Sequence, residues 1–278
     1  MIEHTYAAAT ASALLTKVLV ATDSERIRSV IQRVGGDTVL TGDCATGTDR
    51  IVQALRRMDP ATLSEYDVVV NLQGDEPGVN PTHIDLCIQA LRADPASVMS
   101  TLATPILNER DALSRDVVKC VADHQGNALY FSRALIPHSK DGKFSPTTAY
   151  LRHVGMYAFR TEFLLAFPSL PRSPLEGSED LEQLRVLSSG YKIKLHYQPD
   201  QDAQDSTLMS ALAFSLHQAA GSVQSSCIIA LDERNDSFKC GSAKRSKFMS
   251  GITLHTTANQ DAVRVLITEH CRSSQPLK

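Results

Sequence analysis

The residues best suited to chemistry lie in the segment 71–77, which reads Asn-Leu-Gln-Gly-Asp-Glu-Pro. Asp75 and Glu76 offer carboxylate oxygens, which suit a Mg²⁺ ion that also binds phosphate groups. Gly74 allows the backbone to turn sharply or to approach a ligand closely. A polar turn with an acidic helix cap has the same composition, so the spacing alone fits a magnesium–phosphate site and a structural turn about equally well.

The segment 46–50 is a second candidate, because Gly47 lies between two threonines and is followed by Asp49 and Arg50. A helix start of this kind can offer backbone N–H groups to a phosphate or a base. A capped helix start without any ligand explains the same residues. The segment on its own is therefore a weak signal for binding.

Basic side chains in the middle of the chain could form a pocket for a carboxylate. Arg133 follows the run Tyr-Phe-Ser, and Arg152 and His153 precede an apolar segment. Arginine pairs with carboxylates through two parallel hydrogen bonds, which makes it suitable for such a pocket. A single unpaired histidine is more often a structural residue than a ligand-binding one.

A predicted helix over residues 178–187 places Glu179, Glu182 and Gln183 on neighbouring faces. A charged helix face of this kind is usually only solvated, and on spacing alone that is the preferred interpretation.

Alternating strands and helices must position these side chains. Short apolar strands and amphipathic helices alternate through the first two-thirds of the chain, which is typical of a layered α/β domain. Strands are predicted over 17–23, 67–72, 117–121, 129–132, 153–159 and 193–197, and helices over 25–34, 82–93 and 178–187. Ligands bind at the carboxyl ends of strands in open α/β sheets, and the segment 71–77 lies at such an end.

The sequence changes character after about residue 200. One helix is predicted over 208–219, and the serine-rich stretch that follows contains the basic run 244–247. We interpret that run as part of a solvated tail rather than as a nucleic-acid site. The domain prediction is an incomplete α/β domain over residues 1–205 and a divergent polar region over 206–278, for which disorder is left open.

Composition argues against several classes of protein. The 278 residues include 28 Lys and Arg and 31 Asp and Glu, and a net charge of −3 argues against a surface devoted to nucleic acid. No uninterrupted apolar stretch of about 18 residues is present, so no membrane span is predicted. The six cysteines form no C-x-x-C pair, which favours reduced thiols in the cytoplasm. The motifs G-x-x-x-x-G-K-[ST], G-x-G-x-x-G, H-E-x-x-H and G-x-S-x-G are absent.

Taken in order, a series of segments resembles the 3-deoxy-manno-octulosonate cytidylyltransferases, or CMP-Kdo synthetases, and is nearest to the plant-type members. The segments are 20–23, 47–50, 71–77, 130–137, 153–157, 173–176 and 181–185. The resemblance covers roughly residues 1–198. The related acylneuraminate cytidylyltransferases do not share the whole set.

The resemblance implies a nucleotide-diphospho-sugar-transferase-like fold, which is a three-layer α/β sandwich with a mixed sheet and a smaller hairpin subdomain. It implies transfer of CMP from CTP to 3-deoxy-D-manno-octulosonate (Kdo), with release of pyrophosphate and with Mg²⁺ as the cofactor. It also implies a homodimer that binds these two small molecules and no nucleic acid.

The family's site residues carry over by motif position. Asp75 matches the metal-binding aspartate on which catalysis depends, and Gln73 matches a sugar contact. The residues that would line the Kdo pocket are Arg133, His153, Tyr157, Glu179 and Gln183, of which Arg133 and His153 suit the sugar carboxylate. The segment near the cytosine is matched by Gly47, Thr48 and Arg50.

The chain departs from the family pattern in two places. The family's opening strand and its phosphate-binding loop, P-A-R-x-x-S-[ST]-R-x-x-G-K-P, have no counterpart here. Residues 201–207 replace the family's G-V-D-T-P, although Asp205 is nearby. We therefore expect the sheet to lack its usual first strand, with neighbouring strands unpaired and apolar surface bare. We also expect turnover to fall by many orders of magnitude.

Two alternatives stay open. A non-catalytic sugar-binding or dimerisation subunit would keep the Kdo pocket or the dimer surface without the CTP site. A cytidylyltransferase for another acidic sugar would keep both substrate sites. The cytoplasmic location is likewise open to an organellar or membrane-anchored alternative.

Overall fold

The computed structural model describes residues 1–74, 76, 78–197 and 226–233. Several predicted features lie outside the described residues, namely Asp75, Asp205, the helix over 208–219 and the basic run 244–247. Within the described ranges, no helix is long and apolar enough to cross a membrane.

Strands form where apolar and β-branched residues cluster, as in the valine run at 68–70. In chain order the strands are β1 (Lys17–Thr22), β2 (Asp37–Leu40), β3 (Tyr66–Gln73), β4 (Ser97–Pro105), β5 (Lys119–Ala122), β6 (Ala128–Ser132), β7 (Leu151–Arg160), β8 (Lys192–Tyr197) and β9 (Ser226–Glu233). The predicted hairpin is confirmed as the antiparallel pair β5–β6.

The helices begin at polar capping residues in most cases. They are α1 (Ile2–Thr10), α2 (Glu25–Arg33), α3 (Gly47–Leu55), α4 (Pro60–Leu63), α5 (Pro81–Ala93), α6 (Glu109–Leu113), α7 (Thr161–Ala166), α8 (Pro174–Glu179) and α9 (Gln183–Ser188). Ser24 caps α2, because its hydroxyl accepts a hydrogen bond from the Ile27 N–H. A 3₁₀ turn (Phe167–Ser169) follows α7.

The single helix predicted over 178–187 is wrong, because the structure divides it between α8 and α9. Asp180 lies between the two helices in the left-handed region, with a φ of 53°. Aspartate adopts this conformation more readily than most residues because its short side chain can hydrogen-bond locally. A buried ion pair joins the helices, with Arg185 Nε 2.8 Å from Glu176 Oε2. The break changes which side chains of this segment face the sheet.

The strands form one mixed sheet in the order β2-β1-β9-β3-β7-β4-β8, and β5 pairs with both β6 and β7. Strands β1, β2, β3, β4 and β8 share one direction, whereas β7 and β9 run opposite to it. The mixed α/β sheet predicted from the sequence is therefore confirmed. The carboxyl ends of the parallel strands meet at one edge, which is where α/β folds bind ligands.

The expectation that the neighbours of the missing strand stay unpaired is wrong. Strand β9 lies between β1 and β3 and pairs antiparallel with both. The segment that forms it, Ser226–Glu233, falls inside the region interpreted from sequence as divergent and polar. The compact unit that contains the sheet runs from Met1 to Arg234, so it extends beyond the predicted boundary at residue 205.

Apolar side chains cover both faces of the sheet, which gives the fold its three layers. One core cluster packs α3, α7 and α9 against the sheet through residues such as Ile51, Leu164 and Leu184. The other cluster packs α1, α2 and α5 against the opposite face through Ala9, Ile31 and Ile88. The ligand edge is thereby held between two rigid helical layers.

Candidate functional site

A cavity of about 190 Å³ opens at the carboxyl end of β3, on the face covered by α3 and α9. The sequence-predicted residues that line it are Gly47, Thr48, Gln73, Tyr157 and Gln183. Residues from two candidate nucleotide positions and three candidate sugar positions therefore meet in one space, although they are far apart along the chain. This convergence is the main observation in favour of a binding site here.

The start of α3 forms one wall of the cavity. Thr46 caps the helix, because its hydroxyl oxygen accepts a hydrogen bond from the Asp49 N–H at 3.1 Å. The free N–H groups of the first turn and the helix dipole make such a start favourable for anionic groups. Gly47 and Thr48 lie in this turn and line the cavity.

Arg50 supports this wall from behind rather than facing the cavity. Its side chain is 5% exposed, and its guanidinium Nη2 lies 2.7 Å from Asp23 Oδ2 at the end of β1. A second guanidinium nitrogen donates to the Thr41 hydroxyl. The geometry makes Arg50 a residue that positions α3 against the sheet.

Tyr157 and Gln183 form the opposite wall and touch each other. The Tyr157 hydroxyl donates to Gln183 Oε1 at 3.3 Å. Burial raises the pKa of Tyr157, so the phenol stays protonated and remains a hydrogen-bond donor. Gln183 Nε2 and Asn71 Oδ1 are buried without a hydrogen-bond partner in the described part of the chain. Unsatisfied buried polar atoms cost about 1–3 kcal/mol each, which a polar ligand could recover.

Glu182 also lines the cavity, although its spacing in the sequence indicates only a solvated helix face. The carboxylate accepts hydrogen bonds from the Thr46 hydroxyl at 3.0 Å and from the Thr48 hydroxyl at 2.5 Å. Burial raises the pKa of Glu182, and the two threonine bonds only partly oppose that rise. The break in the helix at Asp180 turns this residue inward, a feature that regular helical spacing does not reveal.

His153 lies beside the cavity but does not line it. Its Nε2 is 2.9 Å from the Thr101 hydroxyl, and its ring lies 5.4 Å from the ring of Tyr157. Burial lowers the pKa of His153 to about 3, so the imidazole is neutral at physiological pH. In this arrangement it supports Tyr157 and carries no positive charge for a carboxylate.

Hydrogen bonds between Arg133 and Glu179 join the end of β6 to the end of α8. Arg133 Nε donates to the Glu179 carbonyl oxygen at 2.8 Å. The Glu179 carboxylate accepts from the Ser132 hydroxyl at 2.6 Å and from the Arg133 N–H at 2.9 Å. Neither residue is among those that line the cavity.

The metal position predicted at Asp75 directly follows Gly74 at the end of β3. A Cβ added to Gly74 would come within 2.7 Å of the Ser226 hydroxyl and 2.8 Å of its carbonyl oxygen, so glycine is required for this close approach. Among the residues that the structure describes, no group of three or more His, Cys, Asp or Glu side chains could hold a metal ion. Mg²⁺ commonly uses only one or two carboxylates together with substrate phosphates and waters, so the donor type at Asp75 fits it.

The chain is similar to known cytidylyltransferases. The family model described as "Cytidylyltransferase" matches residues 1–193. The 3-deoxy-manno-octulosonate cytidylyltransferase of Protochlamydia amoebophila is 44% identical over 196 residues, which cover 70% of this chain and 75% of that protein. The mitochondrial enzyme of that name from Arabidopsis thaliana is 42% identical over 196 residues, or 70% of this chain and 66% of that protein.

A solved structure shows the same fold. It is a CMP:2-keto-3-deoxy-manno-octonic acid synthetase complexed with CTP, and it is 34% identical to this chain with a TM-score of 0.66. The match covers 77% of this chain and 88% of the solved one. On the family model, the relatives and the shared fold, this chain belongs to the cytidylyltransferase family, in the group of the 3-deoxy-manno-octulosonate cytidylyltransferases.

Proposed function

We propose that this chain binds CTP and Kdo and transfers CMP to the sugar, with release of pyrophosphate. The observation that carries the proposal is the single cavity that joins the start of α3 with Gln73, Tyr157 and Gln183. Family membership supports the same reaction. Two relatives of which this chain covers 75% and 78% are both named 3-deoxy-manno-octulosonate cytidylyltransferase.

The nucleotide would bind at the start of α3. Gly47 leaves the backbone accessible, and the hydroxyl of Thr48 lies at the cavity wall. The ion pair between Arg50 and Asp23 holds this helix against β1, so the N–H groups do not have to reorganise when an anionic ligand arrives.

The sugar would bind between β3 and α9. Gln73, Gln183 and Asn71 offer amide groups that hydroxyl oxygens and hydroxyl protons can satisfy. The Tyr157 hydroxyl, whose proton is donated to Gln183 Oε1, would accept a hydrogen bond from a sugar hydroxyl, and the Glu182 carboxylate would accept another. A neutral phenol and a charged carboxylate in one buried wall favour a ligand with many hydroxyl groups.

In the reaction, the anomeric hydroxyl oxygen of Kdo attacks the α-phosphorus of CTP, the bond from that phosphorus to the pyrophosphate oxygen breaks, and the hydroxyl proton passes to solvent. No nucleophilic side chain is needed, because positioning and charge stabilisation supply most of the catalysis of phosphoryl transfer. When bound, Mg²⁺ would neutralise phosphate charge and lower the pKa of the attacking hydroxyl. Asp75 would supply a carboxylate ligand for it.

The direct test is pyrophosphate release from CTP, Kdo and MgCl₂, combined with calorimetric titration of each substrate. We expect both substrates to bind. Kdo binding without CTP binding would favour a non-catalytic sugar-binding subunit, and preference for N-acetylneuraminate would show a different acidic sugar. The reduced turnover expected from the sequence is checked by running the Protochlamydia relative in the same assay.

Replacing Asp75 with asparagine is expected to lower the remaining magnesium-dependent turnover by about 10²–10³-fold, as for other losses of a charge-stabilising contact. The variant Glu76→Gln is the control, because it removes the neighbouring carboxylate and leaves Asp75 in place. Initial rates of pyrophosphate release across a range of Mg²⁺ concentrations measure the effect. Equal rates for Asp75→Asn and the wild type would exclude Asp75 as the metal ligand.

Replacing Glu182 with glutamine is expected to weaken Kdo binding by about ten- to a hundredfold, because a hydrogen bond to a charged group contributes about 1.5–3 kcal/mol. Since the pKa of Glu182 is raised, wild-type affinity should fall as pH decreases through that pKa, and the variant should lack this dependence. Calorimetry at several pH values measures both effects. The matched variant Glu179→Gln tests the sugar contact predicted from sequence. A larger loss of Kdo affinity in that variant would show that Glu179, rather than Glu182, contacts the sugar.

We retain the homodimer and the cytoplasmic location as proposals. A second cavity of about 260 Å³ lies between the segment 105–107 and the segment 144–151, and Leu107 beside it is 70% exposed. Tyr197 also lines this cavity and is 49% exposed, and adjoining exposed apolar side chains favour a protein contact, whereas one alone does not. The four described cysteines are free thiols, which fits a reducing compartment. Sedimentation equilibrium of the whole chain measures its oligomeric state.

A further inference from the structure

Strand β9 is the connection between the two halves of the sheet. On one side, its residues pair with β1 from Lys17↔Leu231 to Thr22↔Ser226. On the other side, they pair with β3 as far as Gln73↔Cys227. Within the described ranges, β1 and β3 do not pair directly. Without β9, the β1–β2 pair would be separated from the rest of the sheet.

The side chains of β9 complete both core clusters. Cys227, Ile229 and Leu231 face one cluster, and Ile228 and Ala230 face the other. All five are at most 1% exposed. A strand buried on both faces reads as a continuous apolar run, and this composition matches that of an interior strand rather than of a polar tail.

The beginning of β9 touches the α3 wall of the candidate cavity and the end of β3. The Cys227 thiol lies 3.5 Å from the carbonyl oxygen of Gly47, which is in the α3 wall. Ser226 packs against Gly74 so closely that no Cβ would fit between them. The strand is therefore the element that sets the distance between the α3 start and the end of β3.

An ion pair at the far end of β9 specifies its register. Arg92 of α5 lies 2.6 Å from the Asp232 carboxylate and 3.5 Å from that of Asp67. A slip of one residue would move every side chain of β9 to the opposite face and would separate this pair. Charge pairing and apolar pattern thus favour the same register.

The geometry of the chain allows this strand to come from the same molecule. Strand β8 ends at Tyr197 on the ligand edge, and β9 begins at Ser226 on that same edge. The two strands are four strand spacings apart, or roughly 19 Å. The connection over 198–225 spans up to roughly 90 Å when extended. Because β8 ends and β9 begins on the same edge, β9 runs antiparallel to β8 and therefore also to β3.

We propose that Ser226–Glu233 is inserted from the same molecule between β1 and β3, and that this insertion assembles the candidate cavity. The segment lies beyond the residues matched by the family model, so it would be an addition of this chain to the binding machinery. The cavity half of the proposal rests on the proposed function, because Kdo binding is its readout, whereas the insertion half does not.

The insertion is tested by introducing Ala21→Cys opposite the native Cys227, whose side chain lies on the same face of the sheet. Mutation of the remaining exposed or undescribed thiols, Cys44, Cys240 and Cys271, to serine removes competing reactions. After oxidation, we expect a 21–227 disulfide within one molecule, identified by peptide mass mapping. The control Val20→Cys points to the opposite face and should not form a bond with Cys227.

A disulfide between two molecules would overturn insertion from the same chain, and failure to form any 21–227 disulfide would overturn the register.

The role of the insertion in the cavity is tested by Arg92→Met, which removes the ion pair with Asp232 at the far end of β9. We expect faster alkylation of Cys227 and at least tenfold weaker Kdo binding, and we expect the 21–227 disulfide to restore binding. Normal Kdo binding in Arg92→Met with a reactive Cys227, or no rescue by the disulfide, would overturn that role. Absence of Kdo binding in the wild type would instead reject the proposed function, with the disulfide result still valid.

Discussion

Replacing Glu176 with alanine is expected to lower the free energy of unfolding by about 3–5 kcal/mol, because it leaves the buried Arg185 guanidinium without its carboxylate partner. Arg185 Nε and Nη2 lie 2.8 Å and 2.5 Å from the two Glu176 oxygens. The guanidinium also lies 4.7 Å from the centroid of the Phe167 ring. Urea unfolding followed by circular dichroism measures the loss, since the chain contains no tryptophan.

Arg172 supplies the matched control for this prediction. It also contacts Glu176, at 3.3 Å, but its side chain is 72% exposed, so Arg172→Ala should cost no more than about 1 kcal/mol. A loss for Arg172→Ala as large as that for Glu176→Ala would contradict a contribution that depends on burial.

The same ion pair gives a pH dependence with a defined sign. Burial would raise the pKa of Glu176, but its hydrogen bonds and charge interaction with Arg185 outweigh burial and lower the pKa. The stabilisation is therefore present above the ordinary glutamate pKa and is lost as pH falls through the lowered one. Below that pH, the stabilities of Glu176→Ala and the wild type should converge.

Replacing Ile229 with aspartate is expected to prevent the chain from reaching its native state. Ile229 is fully buried at the centre of the sheet, between β1 and β3. An unpaired carboxylate there costs several kcal/mol in addition to the lost apolar burial. A total above about 5 kcal/mol exceeds the stability of many domains. Circular dichroism and hydrogen exchange should show an unfolded or partly folded chain at 25 °C.

The conservative variant Ile229→Val separates loss of burial from loss of the strand. It removes one methyl-sized group and should cost about 0.5–1.5 kcal/mol while the sheet stays intact. A native-like melting curve for Ile229→Asp would show that this position is not in the core, and it would contradict the central place of β9.

Both predictions concern segments that support the cavity without lining it through their own side chains. The Glu176–Arg185 pair holds α8 to α9, and α9 carries Gln183 to the cavity wall. Strand β9 holds β1 to β3, and Gln73 lies at the end of β3. Defects in either segment should therefore reduce ligand binding together with stability.

The predicted helix over 178–187 shows how far local spacing reaches in this chain. Leu184 and Leu187 are helical residues of α9 that pack in a core cluster, as the prediction expects, but Leu181 lies between α8 and α9. The spacing did not indicate the left-handed residue at Asp180, which divides the helix. As a result Glu182 contacts Thr46 and Thr48, and Glu179 contacts the Arg133 segment. Which carboxylate faces the cavity depends on that one backbone conformation.

The sequence alone establishes the α/β class, six of the nine described strands, the helices α2 and α5, the family and the segments that meet at the ligand edge. These properties follow from local periodicity and from motifs that lie within short stretches of chain. That Ser226–Glu233 is an interior strand between β1 and β3 emerges only from the fold in three dimensions. A short apolar run shows that a strand is possible but carries no information about its neighbours, because pairing joins residues more than 150 positions apart in the chain. The neutral state of His153 and the inward direction of Glu182 have the same origin, since burial and side-chain direction are set by what packs around them.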